Sequence, residues 1–351
     1  MIGKRALFIA TALAVLALPL FAGGGKEKQV VYGMTVRDAS APYMAAMIQA
    51  AEAEAGKLGA KIVVLDSKND VLQQLNQMDS LLTQGVKGLL FGGTIDTKAI
   101  VPGIKKFNDR KIPIMALDNS PEGGKVDLWL SFDITDSSRK AAELFVAKIK
   151  EKNGADPKGV VIEITGALGD AFTTECAAGF HSVMDAYKGI QVVQGEGKWD
   201  NDASFQRTAE LLTKYGKQVI GIYVHTPDVM ATGVVKAVEQ AKLNPADYHI
   251  TGICMGPEGR DLIKEGKMYA IVNQPVLDAA TLAVQYLWAL NNGKSIPKVG
   301  DVVKAENALW APAEVVKNPL CEGGFMKLQG PVVPLQVKAD DARLWENILT
   351  K

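Results

Sequence analysis

Short apolar runs alternate with longer stretches in which apolar residues recur every three or four positions, from Val30 to Asn292. The runs are rich in β-branched residues and predict strands at 30–36, 61–66, 88–91, 112–117, 159–165, 190–196, 219–224, 248–254 and 269–272. The periodic stretches predict helices at 44–58, 69–83, 97–109, 135–150, 172–186, 203–215, 229–241, 257–265 and 277–290. Gly59 and Gly85 supply helix stops, and Pro42 sits where a first helical turn begins. Continuous apolar strands separated by amphipathic helices describe α/β architecture with parallel sheets. The alternation pauses at 120–136, where Pro121, Gly123 and Gly124 interrupt it, and then restarts. Two arrays of similar size predict two doubly wound lobes. From Ile296 onward the chain is Pro- and Gly-rich without a clear period, ending in a short helix at 340–349.

Composition narrows the function classes. The chain has 351 residues, is 48% hydrophobic and 22% charged, and carries no formal net charge. That length suffices for two domains. The neutral balance lacks the basic excess of a nucleic-acid surface, so no nucleic-acid partner is expected. At the N-terminus, Lys4 and Arg5 precede an apolar core at 6–21 broken by Pro19, then small residues at 22–25. This is the layout of a cleaved export signal, residues 1–22, with the cut after Ala22; Leu20 is larger than the usual residue at its position. A retained anchor is the alternative, although the run falls short of the ~20 residues a span needs. Cys176, Cys254 and Cys321 all lie far from the cut, so no lipid attachment is expected. Their odd number and wide spacing form no disulfide framework.

The candidate chemistry lies in the loops that follow the strands. Arg37, Asp38 and Ser40 follow the first strand, with Tyr43 just inside the next helix. Gly92–Gly93–Thr94, Asp118–Asn119, the 166–170 loop, Lys198–Trp199–Asp200, His225–Thr226–Pro227–Asp228, Cys254–Met255–Gly256 and Asn273–Gln274 follow others. In open parallel sheets, ligands bind at these carboxyl ends. Hydrogen-bonding side chains together with the aromatic faces of Tyr43 and Trp199 suit a polyhydroxylated ligand. No G-x-G-x-x-G or P-loop motif is present, so nucleotide cofactors are not expected. The histidines, His181, His225 and His249, lie at no metal-ligand spacing. A secreted α/β enzyme using Cys254, His225 and Asp228 is the competing class, but no activating motif surrounds them. Trp129, Trp288 and Trp310 read as packing residues.

The strand–polar loop–Pro-aromatic order, K-I-V-V-L-D-S-K-N-D (61–70), Q-G-V-K-G-L-L-F-G-G-T (84–94), I-P-I-M-A-L-D-N (112–119) and S-F-D-I-T-D-S-S-R-K-A-A-E-L (131–144) carry a likeness. The chain resembles the ribose/galactose-type periplasmic binding proteins of ABC transporters from about Val30 to about Asn292. The resemblance implies the type I periplasmic fold, two lobes joined by three crossovers and closing on one small solute. It implies lobes at 28–133 plus 275–325 and at 134–274 plus 326–351. It further implies a periplasmic, monomeric, non-enzymatic protein that delivers a sugar or polyol to an ABC permease. A sensor that engages a chemoreceptor or a kinase is the alternative within the same fold.

Position by position, the resemblance makes Arg37 a cationic sugar contact, Tyr43 a stacking aromatic, and Met44 a packing group beside it. It makes Asp118 a hydroxyl binder, Asn119 a replacement for an arginine, and Trp199 a second stacking aromatic with Asp200 beside it. Asn273 or Gln274 supplies an amide at the last crossover. Thr174 replaces a second arginine, and Cys254 replaces an aspartate. Pro227 replaces an asparagine, leaving His225, Thr226 or Asp228 to substitute. Losing two arginines and an aspartate removes charge-assisted bonds, which favours a linear polyol, deoxysugar or cyclitol over ribose. The ending D-D-A-R-L-W-E-N (340–347) resembles that of some sugar and polyol binders in the group.

Overall fold

The computed structural model describes residues 29–348 and, before them, only the backbone of Leu7–Ile9 (β1). The rest of the expected export signal, with its cleavage zone, lies outside the described residues. The chain divides into two compact units. Unit 1 takes the chain up to Ser131 together with Pro275–Gln329, and unit 2 takes Phe132–Gln274 together with the chain from Gly330.

The first stretch runs β2 (Val31–Val36), α1 (Pro42–Lys57), β3 (Lys61–Asp66), α2 (Val71–Gln84), β4 (Leu89–Gly92), α3 (Val101–Asp109), β5 (Ile114–Ala116) and β6 (Lys125–Phe132). The second runs α4 (Ile134–Asn153), β7 (Gly159–Thr165), α5 (Ala171–Met184), β8 (Ile190–Glu196), α6 (Asn201–Tyr215) and β9 (Val219–Val224). It continues through α7 (Pro227–Gln240), β10 (Thr251–Ile253), α8 (Gly256–Lys264) and β11 (Ala270–Val272). The third holds α9 (Val276–Asn291), β12 (Val302–Lys304), β13 (Ala313–Lys317) and β14 (Glu322–Leu328); β15 (Val332–Val333) and α10 (Trp345–Ile348) are the last elements among the described residues.

Local chemistry starts these helices. Asp70, Asp133, Asp170 and Asp200 each cap a helix by accepting from a backbone N–H of the first turn, satisfying donors that a helix start leaves open. Pro42 and Pro227 occupy first helical positions, where a missing N–H costs nothing.

The sheet of unit 1 has the order β1-β12-β13-β14-β6-β5-β4-β2-β3, and that of unit 2 the order β15-β11-β10-β9-β7-β8. Strands β3, β2, β4, β5 and β6 pair in parallel, as do β8, β7, β9, β10 and β11. In unit 1 the order turns back at β2, flanked by β3 and β4; in unit 2 it turns back at β7, flanked by β8 and β9. Such switch points open a crevice at the carboxyl ends of the strands.

Two segments depart from the expectation. The pause at 120–136 contains β6, whose Asp127 Oδ2 accepts from the Ile114 N–H at 2.8 Å and whose Trp129 stacks on Phe325 at 3.9 Å. The tail is not structureless either: β13 runs antiparallel to both β12 and β14, and β15 runs antiparallel to β11. The expected helix at 340–349 is reduced to α10. Cys176 and Cys254 are buried and Cys321 is half-buried, and none of the three is in a disulfide. Each unit has its own core. Phe91, Phe107, Trp129 and Phe325 mark that of unit 1; in unit 2 Phe180 stacks on Tyr223 at 4.3 Å with Phe145 beside them.

Candidate functional site

In unit 1 the loop after β2 is shaped by its own side chains. Asp38 Oδ1 accepts from the Ser40 hydroxyl at 2.6 Å and from the Ser40 N–H at 3.0 Å, and these bonds hold the Asp38 carboxyl below its ordinary range. Arg37 is thereby set at the strand end, with Nε 3.3 Å from Asp118 Oδ2. Asp118 follows β5 in a left-handed conformation, φ +58°. The space for its carboxylate exists because residue 93 is glycine. A Cβ there would stand 2.5 Å from Asp118 Oδ2, and the residue has φ +85°. Asn119 is engaged with backbone: Oδ1 accepts from the Thr94 N–H at 3.1 Å and Nδ2 donates to the Thr94 carbonyl at 2.9 Å. It ties the β4 and β5 loops together. Tyr43 is half-buried at the start of α1, whereas Met44 is 1% exposed and belongs to the interior.

In unit 2 the loops after β7 and β8 meet. Trp199, at φ +58°, donates from Nε1 to Asp170 Oδ2 at 3.2 Å, while Asp170 Oδ1 caps α5 through the Phe172 N–H at 2.8 Å. The Phe172 ring stands edge-on to Trp199 at 5.7 Å. The indole lies across Gly166, where a Cβ would come within 1.9 Å of the ring. Asp200 is the exposed cap of α6, accepting from the Ala203 N–H at 2.8 Å. Thr174 is also exposed, its hydroxyl donating back to the Asp170 carbonyl at 3.1 Å.

After β9, Thr226 is 6% exposed; its hydroxyl and the shielded Asp228 Oδ1 form no hydrogen bond of full geometry, although the hydroxyl lies near enough to the carboxyl to draw it down. Burial, joined by the negative charge of Glu258, pushes the Asp228 carboxyl up to about 7 against the pull of the Thr226 hydroxyl and nearby backbone N–H groups. After β10, Cys254 has φ +66° and is 2% exposed, and its carbonyl accepts from the Asp228 N–H at 3.2 Å. Asn273 is 1% exposed, and its carboxamide is fully occupied within unit 2. Gln274 is 6% exposed, and among the described residues its side chain makes no hydrogen bond.

The enzymatic pairing of His225 with Cys254 is not made: His225 Nε2 is bonded to Glu163, and Nδ1 has no partner. Sequence reasoning does not single out Glu163. It is fully buried in β7, with Oε1 2.8 Å from His225 Nε2 and Oε2 3.0 Å from His181 Nε2; Gln194 Nε2 donates to Oε2 at 2.8 Å. Burial raises its carboxyl, but these bonds outweigh it and bring it down to about 2. The same contact raises His181 to about 9 against partial burial. The signal that could have found it is a lone glutamate in V-V-I-E-I-T, a charge placed where a buried strand would otherwise be almost wholly apolar. Among the described residues, no group of acidic, histidine or cysteine side chains has the arrangement of a metal site.

A family model described as a periplasmic binding protein domain matches residues 32–295. The ribose import binding protein of Bacillus subtilis (strain 168) is 29% identical over 300 residues, spanning 83% of this chain and 92% of that protein. In fold the chain is similar to the periplasmic component of the arabinose ABC transporter from Shewanella sp. ANA-3, solved with arabinofuranose bound. Its TM-score is 0.71 at 18% identity, covering 92% of this chain and 97% of that one. It is also similar to a solute binding protein of Bacillus halodurans C-125 solved with myo-inositol. That TM-score is 0.67 at 21% identity, covering 88% and 96% of the two chains.

Proposed function

The chain belongs to the periplasmic binding protein domain family, and on that premise we propose that it captures a small polyhydroxylated ligand, a sugar, polyol or cyclitol, for an ABC permease. It acts outside the cytoplasm as a monomer, with its export signal cleaved after Ala22 and without a lipid anchor. It binds and releases its ligand unchanged.

One observation carries the ligand class. On adjoining strand ends of unit 2, a flat indole is locked by Asp170 over Gly166, and Thr226 and Asp228 present shielded polar atoms that form no full-geometry protein hydrogen bond. A buried polar atom without a partner costs about 1–3 kcal/mol, a cost that a ligand hydroxyl removes. The indole covers the C–H surface of the same kind of molecule. Within unit 1, the paired Arg37 and Asp118 bring a charged donor and a charged acceptor to the strand ends. Asp228, pushed up to about 7, donates or accepts according to pH, which suits neutral hydroxyls, themselves both donors and acceptors.

Thermal unfolding of the chain from residue 23 tests the proposal, using D-ribose, L-arabinose, xylitol, myo-inositol and adenosine. A true ligand at ~1,000 times its dissociation constant adds about 4 kcal/mol, raising the melting point by several degrees. Absence of any shift with the four polyhydroxylated compounds at millimolar concentration, or a shift with adenosine alone, refutes the ligand class.

A further inference from the structure

Helix α10 packs into unit 2 beside the strand-end loops. Glu346, in α10, is fully buried, and its Oε2 accepts from Asn273 Nδ2 at 3.1 Å. Asn273 Oδ1 accepts from the Met255 N–H at 3.2 Å and from the Gln274 N–H at 2.8 Å. Its own backbone N–H donates to the Pro331 carbonyl at 2.9 Å. The carboxamide therefore has a defined orientation. Two N–H groups require its oxygen on one side, and its NH2 then needs an acceptor on the other. Glu346 is that acceptor. The tail segment is itself anchored. Arg260 Nη1 donates to the Glu346 carbonyl at 2.6 Å, and Asn347 Nδ2 donates to the carbonyls of Ala339 and Asp341 at 2.8 and 2.9 Å. Trp345 beside Glu346 is itself buried, at 3% exposed.

We propose that Glu346 is a positioning residue for ligand binding: through Asn273 it fixes the Met255 turn and the backbone of Gln274, and so presents the Gln274 side chain. The inference rests on the binding function proposed above. It assigns the amide contact at this crossover to Gln274, whose buried side chain makes no hydrogen bond among the described residues, and makes Asn273 the residue that holds it. Without an acceptor at position 346, the Asn273 carboxamide is free to turn away from the two N–H groups, and the loops they belong to loosen. Glutamine at 346 still presents a carbonyl oxygen to Asn273 and preserves the arrangement.

The test compares Glu346→Ala and Glu346→Gln by amide hydrogen exchange and by titration with the panel compound that most raises the melting point. We expect the Met255 and Gln274 amides of Glu346→Ala to exchange at least ~10-fold faster, with β7 amides unchanged and affinity reduced at least ~10-fold. Glu346→Gln should stay within about threefold of the parent on both counts. If Glu346→Ala does not fold, Glu346→Met, which fills the volume without an acceptor, replaces it. Unchanged exchange at Met255 and Gln274, or a glutamine variant as damaged as the alanine one, overturns the proposal. Should no panel compound bind, exchange alone decides the role of Glu346, and the failure falls on the ligand class.

Discussion

Replacing Glu163 should strongly destabilise unit 2. Glu163→Ala leaves His225, fully buried, with no partner at either ring nitrogen, since Nδ1 already has none. Glu163 is also the fully buried, charged member of its pair with His181, and breaking a buried ion pair from one side costs about 3–5 kcal/mol. Counting bonds gives a similar figure. The buried His225 bond is worth about 1.5–3 kcal/mol as a charge-assisted contact. His181, whose side chain is 31% exposed, and the exposed Gln194 recover water and add less. The expected loss is about 3–4 kcal/mol, or roughly 6–16 °C in melting temperature for a unit of this size. Glu163→Gln, which keeps one acceptor, should lose about half as much.

The pH dependence separates this account from a simple packing defect. His181 is raised from 6.5 to about 9, so its contribution is fully present below 6.5 and disappears as pH rises through about 9. Glu163 is lowered from 4.5 to about 2, so its contribution is present above 4.5 and disappears as pH falls through about 2. The gap between parent and Glu163→Gln should therefore be widest between about 4.5 and 6.5 and narrow toward pH 10. Urea denaturation followed by circular dichroism at pH 5.5, 7.5 and 10 measures it. A loss in Glu163→Ala below about 1 kcal/mol, or a gap independent of pH, would show that Glu163 does not hold unit 2 through its histidine bonds.

Three further outcomes follow. Asp228 is raised from 3.8 to about 7, so its stabilising, protonated state is full below 3.8 and lost as pH rises through about 7; Asp228→Asn should gain about 1–3 kcal/mol over the parent at pH 8 and little at pH 4 in thermal melts. Asp118→Ala and Trp199→Ala should each weaken ligand binding at least ~10-fold, with melting temperature within a few degrees of the parent, as read by titration. Gly166→Ala places a Cβ within 1.9 Å of the Trp199 ring and must displace it; near-ultraviolet circular dichroism should lose its indole signal as affinity falls, and an unchanged spectrum would contradict the packing described.

The sequence made the alternating scaffold legible because its strands are buried on both faces and its helices carry their own start signals. Asp70, Asp133, Asp170 and Asp200 announce helices within three residues of themselves. The strand-end positions of Arg37, Asp118, Trp199 and Asp228 followed from that alternation, since a loop after a parallel strand lies at the ligand-binding edge. What stayed hidden depends on distant partners. Strand β6 was masked by Pro121, Gly123 and Gly124, and its Trp129 finds its stacking partner Phe325 only in the folded sheet. Glu163 meets His181, His225 and Gln194 from three other elements, and Glu346 meets Asn273 from the far end of the chain. No local pattern encodes such pairs. Asn119 shows the converse: a polar residue at the right edge, spent on holding the Thr94 backbone.

Isothermal titration of the chain from residue 23 with the panel compounds decides whether it captures a polyhydroxylated solute. Saturable uptake of one polyhydroxylated molecule per chain, recovered unchanged and weakened by Asp118→Ala in unit 1 and by Trp199→Ala in unit 2, is the predicted result. Uptake of none of them, chemical conversion of the one bound, or binding indifferent to both substitutions would contradict it.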